Sequence, residues 1–212
     1  MLKVAAALVA GVVAMGGWAV VTVKDLPEYF IAGQQYTLEF QVRQHGRTLL
    51  SGLRPQLVID SPGARDVVIP AVARSAEGTY AVTFTAPPLA AGEMRFTIRS
   101  GFMNNELRLY PQPVIAAGTS RPAMAARDRG QVLFVAKGCN TCHSNIDLAD
   151  RPDNQLVTVG PELGGRHLAR EYVIQKVKNP ASEKMPDLGL TNAEANAIAA
   201  LLNGERGALS GR

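Results

Sequence analysis

The chain contains two cysteines, and both fall in the run Cys139, Asn140, Thr141, Cys142, His143. No thiol is left for a structural disulfide, so the fold must rest on apolar cores and on whatever these side chains bind. Two thiols separated by two residues, with an imidazole directly after the second, form the pattern of covalent c-type haem attachment. One helical turn presents both sulfurs to one edge of a macrocycle, and the adjacent histidine is carried under the ring plane to the iron. A zinc site needs further ligands, and His167 is the only other histidine downstream. A thioredoxin-type thiol pair needs a βαβ setting that the surrounding pattern does not supply.

The N-terminus is consistent with attachment outside the cytoplasm. After Lys3 an uncharged run rich in Ala, Val and Gly extends from Val4 to Val23. A positive start followed by an apolar stretch is an export signal. Gly17 and Ala19 suit cleavage after Ala19, giving a signal peptide over 1–19, while the length of the run also suffices for a retained membrane anchor. Either outcome predicts a periplasmic or outer-face location.

Between residues 20 and 115 the pattern is that of strands. Tyr36, Leu38, Phe40 and Val42 alternate with polar residues, the period of a strand with one buried face. Val20–Val23, Leu57–Ile59, Val67–Val72, Tyr80–Phe84, Met94–Ile98 and Leu107–Tyr110 read as further strands, separated by turn clusters such as Ser61, Pro62, Gly63. About seven such strands predict an antiparallel β-sandwich. Val21 to Pro27, Ala32, Gly33 and Val42 to Gly46 resemble immunoglobulin-like domains of the YtkA and FixH type. That resemblance implies a small sandwich on exported or membrane-anchored proteins, some of them associated with oxidases or copper handling. His45, Met94 and Met103 are the candidate copper ligands here, set against a turn histidine and two core methionines. Without a cysteine, a dinuclear copper centre is excluded.

The strand pattern stops at Ala116, and 116–126, with Gly118, Ser120 and Pro122, reads as a linker. The formal charge of +4 forms no basic stripe, which argues against nucleic acid as a partner.

From residue 127 to the end the expected class is all-α. Leu168 to about Lys178 reads as a helix with Leu168, Tyr172, Val173 and Val177 on one face, ended by Asn179 and Pro180. Thr191 and Glu194 have capping-box spacing, Ala195, Ile198, Ala199, Leu201 and Leu202 follow as an apolar stripe, and Gly204 is a C-terminal stop. Gly130, Leu133, Phe134, Lys137 and Gly138 ahead of Cys139, then Gly160, Pro161 and Leu163, then Met185 and Pro186, resemble class I cytochrome c over 127–204. The resemblance implies one covalent haem c on Cys139 and Cys142, with His143 and Met185 as axial ligands. It also implies that His143 is steadied by the Pro161 carbonyl, and that the last helix crosses the first at Gly130. An aromatic residue usual at that crossing is replaced here by Ala200 or Leu201. Met124 and His167, the competing iron ligands, would need a different chain path.

Two axial ligands leave no vacant coordination position, so the expected role is electron carriage between respiratory redox proteins or within a membrane oxidase complex, not catalysis. The rival is a small-ligand-binding or catalytic haem protein in which Met185 is not bound. Lys137, Lys176, Lys178 and Lys184 are candidates for a basic rim that steers an acidic partner.

Overall fold

The computed structural model describes residues 17–119, 121–180 and 185–204. The apolar run up to residue 16, Ser120 of the linker, the Ser182, Glu183, Lys184 part of the methionine loop and the last eight residues lie outside the described residues.

Residues 19–115 form two packed sheets, consistent with the immunoglobulin-like expectation. Their strands are β1 (Ala19–Val23), β2 (Phe30–Ile31), β3 (Gln35–Gln44), β4 (Thr48–Leu49), β5 (Gln56–Asp60), β6 (Val67–Pro70), β7 (Val72–Ala73), β8 (Thr79–Thr85), β9 (Glu93–Arg99), β10 (Glu106–Arg108) and β11 (Gln112–Ile115). One sheet runs β1-β3-β8-β7 with β4 beside β3, and the other runs β2-β11-β9-β5-β6 with β10 beside β9. The period-2 pattern of β3 does what it predicts, sending Leu38, Phe40 and Val42 into the core. Phe30, Phe84 and Phe96 meet there edge-on or tilted, with centroids 5.3 to 5.9 Å apart. Aromatic rings at that spacing add to the ~1.5–3 kcal/mol that burying each one contributes.

Two features depart from the sequence pattern. The segment Val67–Val72, expected as one strand, divides between the sheets: β6 pairs with β5, and β7 pairs with β8. Pro70 has no N–H for a ladder; the Ala71 N–H still reaches the Pro55 carbonyl, just before β5, at 2.9 Å, and from Val72 the chain pairs with β8. The two-residue strands are also new, among them β2, which pairs in parallel with β11.

The helical domain contains α1 (Ala126–Ala136), α2 (Cys139–Cys142), α3 (Arg170–Lys178) and α4 (Asn192–Asn203). The capping box is formed at α4, where Thr191 Oγ1 accepts the Glu194 N–H at 3.2 Å and Glu194 Oε2 accepts the Thr191 N–H at 3.0 Å. Gly204 ends α4 in the left-handed conformation at φ 82°. Helix α1 lies between the domains. Val132, Val135 and Ala136 belong to the core of the sandwich, whereas Leu133 and Phe134 belong to the core built with α3 and α4. Polar contacts reinforce the join: Tyr110 donates to the Ala149 carbonyl at 2.8 Å, and the Asn154 side chain exchanges two hydrogen bonds, 2.7 and 2.8 Å, with the backbone of Arg108 on β10.

Candidate functional site

The turn from α1 into α2 sets the position of both thiols. Gly138, at φ 76°, reverses the chain, and the single turn α2 closes with the His143 N–H on the Cys139 carbonyl at 2.9 Å. Cys139, Cys142 and His143 consequently line one cavity of about 330 Å³. Its other walls are mostly apolar, with Phe134 of α1, Val173 and Val177 of α3, Ile198 and Leu202 of α4, and the Met185, Pro186, Leu188 segment, and Lys137, Arg166 and Lys176 line it as well. Burial pushes the Cys139 thiol up to about 12, helped by the neighbouring Cys142, whose own thiol is raised by burial.

His143 is held from two sides. Its Nδ1 lies 3.0 Å from the Pro161 carbonyl oxygen, and since a carbonyl only accepts, Nδ1 carries the proton and Nε2 keeps its lone pair. Gly160 packs flat against the ring, and a Cβ there would fall 2.4 to 2.9 Å from three ring atoms. The loop itself is pinned to α2 and the residues after it, with Gly160 N–H on the Cys142 carbonyl at 2.8 Å and Leu163 N–H on the Ser144 carbonyl at 2.9 Å. Hydrogen bonds from Ser144 and from the Gly164 N–H hold the Glu162 carboxyl below the usual carboxylate range. The Pro161 contact is therefore the one that the resemblance to class I cytochrome c implies.

Met185 lines the same cavity, so the structure brings both thiols, the imidazole and the thioether to one apolar crevice. The rival ligands do not reach it. His167 is tied to the Asn203 carbonyl at 3.3 Å and packs against Gly204, and Met124 packs on the sandwich core. The copper candidates are likewise dispersed: Met94 is fully buried in the sandwich, Met103 is exposed, and His45 sits against Trp18 with centroids 5.4 Å apart.

The basic rim needs correction at Lys137. Its side chain is 3% exposed and its Nζ lies 2.6 Å from Glu194 Oε1, so it is a buried ion-pair partner and not a docking charge. Lys178 Nζ donates to Asn192 Oδ1 at 2.5 Å, Lys176 stands over the Tyr172 ring at 5.7 Å, and Lys184 lies outside the described residues. Sequence reasoning also missed Val20 of β1, which reaches the cavity wall from the other domain. No local signal marks it, because the contact exists only once the two domains pack.

A prosthetic group joined through two thiols and bound at iron by a nitrogen and a sulfur fits this donor set, and the apolar walls suit a flat hydrophobic macrocycle. Residues 125–202 match the family model described as cytochrome c oxidase, cbb3-type, subunit III. No curated protein matches the chain. The family implies haem c and haem-based electron transfer, and the C-terminal part of this chain is a c-type cytochrome domain following a β-sandwich.

Proposed function

We propose that the chain is a monohaem c-type cytochrome that passes single electrons outside the cytoplasm, between respiratory redox proteins or as a subunit of an oxidase or quinol-oxidising complex. The observation that carries this reading is the meeting of Cys139, Cys142, His143 and Met185 in one apolar crevice. When bound, haem c supplies a one-electron iron couple. Cys139 and Cys142 would hold the group covalently through their thiols, on the side of the crevice that α2 forms. His143 keeps its proton on Nδ1, against Pro161, and offers Nε2 to the metal. Met185 offers a soft thioether, which favours the reduced state and raises the potential. Phe134, Val173 and Ile198 exclude water, so the charge change at the centre meets a low-dielectric surrounding.

Export and membrane association rest on the apolar N-terminal run. Among the described residues no helix is long and apolar enough to cross a membrane. The deciding experiment is the visible spectrum of the matured protein in both redox states, with Met185→Ala alongside. The reading expects haem that survives denaturation and extraction, and a weak far-red sulfur-to-iron band in the oxidised protein that Met185→Ala abolishes. Haem that extracts freely, or a wild-type spectrum without that band, overturns the assignment of the corresponding residues.

A further inference from the structure

The β-sandwich meets the cofactor crevice at three places. Val20 of β1 is itself a wall residue of the cavity that holds Met185 and Pro186. The turn between β3 and β4 brings buried Gly46 against the same segment: a Cβ on Gly46 would lie 3.5 Å from Val20 and 3.9 Å from Pro186 Cγ. Gly138, directly before Cys139, is pressed so closely on β1 that a Cβ would fall 2.4 Å from Val20 and 2.7 Å from the Val21 carbonyl oxygen. One strand thus packs on the thiol-bearing turn and shares the crevice wall with the methionine segment, which the β3–β4 turn approaches at Pro186.

A polar chain runs through the same contact. Arg43 of β3, only 7% exposed, donates to Gln41 Oε1 at 2.6 Å and to Thr22 Oγ1 at 3.4 Å, and Thr22 in turn donates to the Lys137 carbonyl at 3.3 Å. Burial lowers the Arg43 guanidinium from its ordinary value, and the charge of exposed Asp187 works in the opposite direction. Asp187 stands two residues after Met185.

We propose that the β-sandwich acts as a brace for the sixth iron ligand: Val20 and the β3–β4 turn at Gly46 position the Met185–Pro186 segment against the crevice, and the strength of that contact sets how readily the thioether leaves the metal. The proposal rests on Met185 being the ligand. A cytochrome domain held in this way has its methionine segment supported by a neighbouring domain instead of by its own fold alone. Disturbing the sandwich face is then felt at the iron without any change to a residue of the cytochrome domain.

The test uses the full matured protein. Val20→Ala removes wall contacts, and Gly46→Ala disturbs the turn where it approaches Pro186. Val68→Ala, on exposed β6, serves as the same-domain control. With covalent haem content and circular dichroism unchanged, Val20→Ala and Gly46→Ala are expected to weaken the far-red band and to accelerate cyanide binding by about tenfold or more, a barrier change of the size one lost contact supplies. Gly46→Ala keeps the test meaningful if Val20→Ala does not fold. Wild-type band and cyanide kinetics in both variants overturn the brace while leaving Met185 as the ligand. A wild type that lacks the band removes the ligand assignment and the brace with it.

Discussion

Lys137 and Glu194 form an ion pair of 2.6 Å whose side chains are 3% and 10% exposed, joining the end of α1 to the start of α4. Glu194 serves two partners at once, since its other oxygen caps α4 through the Thr191 N–H. Removing one member of such a pair strands a buried charge, which costs more than the pair contributes. Lys137→Met is therefore expected to lower stability by about 3–5 kcal/mol in urea unfolding. Adding Glu194→Met should recover all but the ~1 kcal/mol of the lost cap.

The same carboxylate predicts an acid limb. Burial raises the Glu194 pKa, but the hydrogen bond and charge of Lys137 and the bonds at Thr191 outweigh it, leaving the folded value below the ordinary one. A depressed folded pKa contributes stability that is fully present above the unfolded value, near 4.5, and is lost as pH falls through the folded one. Stability measured from pH 6 down to about 2 should fall steeply in the wild type. In Glu194→Gln this part of the limb should be flattened.

Gly130 of α1 meets α4 without a side chain between them. A Cβ would fall 2.1 Å from the Ala197 carbonyl oxygen and 3.0 Å from Leu201 Cβ. The obstacle is helix backbone, which cannot rotate away. Gly130→Ala should cost ~3 kcal/mol, the upper part of the range for overpacking, despite the gain in helix propensity. Chemical denaturation of the matured protein reads this directly, and a neutral or stabilised variant would contradict the crossing.

At Gly160 the same test addresses the imidazole. A methyl group there enters the His143 ring, so Gly160→Ala must either tilt the ring off the Pro161 carbonyl or displace the loop. Weakening that support lowers the basicity of Nε2. The expected outcome is intact covalent attachment with a shifted midpoint potential and a perturbed low-spin spectrum. Pro161→Ala, which keeps the accepting carbonyl, should move both much less.

What was legible in the sequence was whatever is local. Thr191 and Glu194 announce their capping box because the bonds span three residues, and the Cys139 to His143 run needs no tertiary partner to be read. The Pro161 contact and the close crossing at Gly130 are not local, and were expected only through the resemblance to class I cytochrome c. What was hidden depends on packing at long range. Lys137 looks like a surface lysine until α4 places Glu194 beside it. Val67–Val72 reads as one strand because periodicity does not show which sheet each half will join. Helix α1 has little amphipathic signature because, from Gly130 to Gly138, every residue is buried.

A helix buried on every side from Gly130 onward makes two folding units into one thermodynamic object. Calorimetry of the full chain should then give a single endotherm, and loss of the cofactor should be felt in the melting of strands that never touch it. It also limits how the two halves can be exchanged in evolution. A cytochrome domain cut free at residue 125 would present Val132, Val135 and Ala136 to water, and a sandwich alone would have an unfilled floor. A substitution on α1 acceptable to one neighbour must also be acceptable to the other, so the helix is the narrowest passage through which this chain can vary.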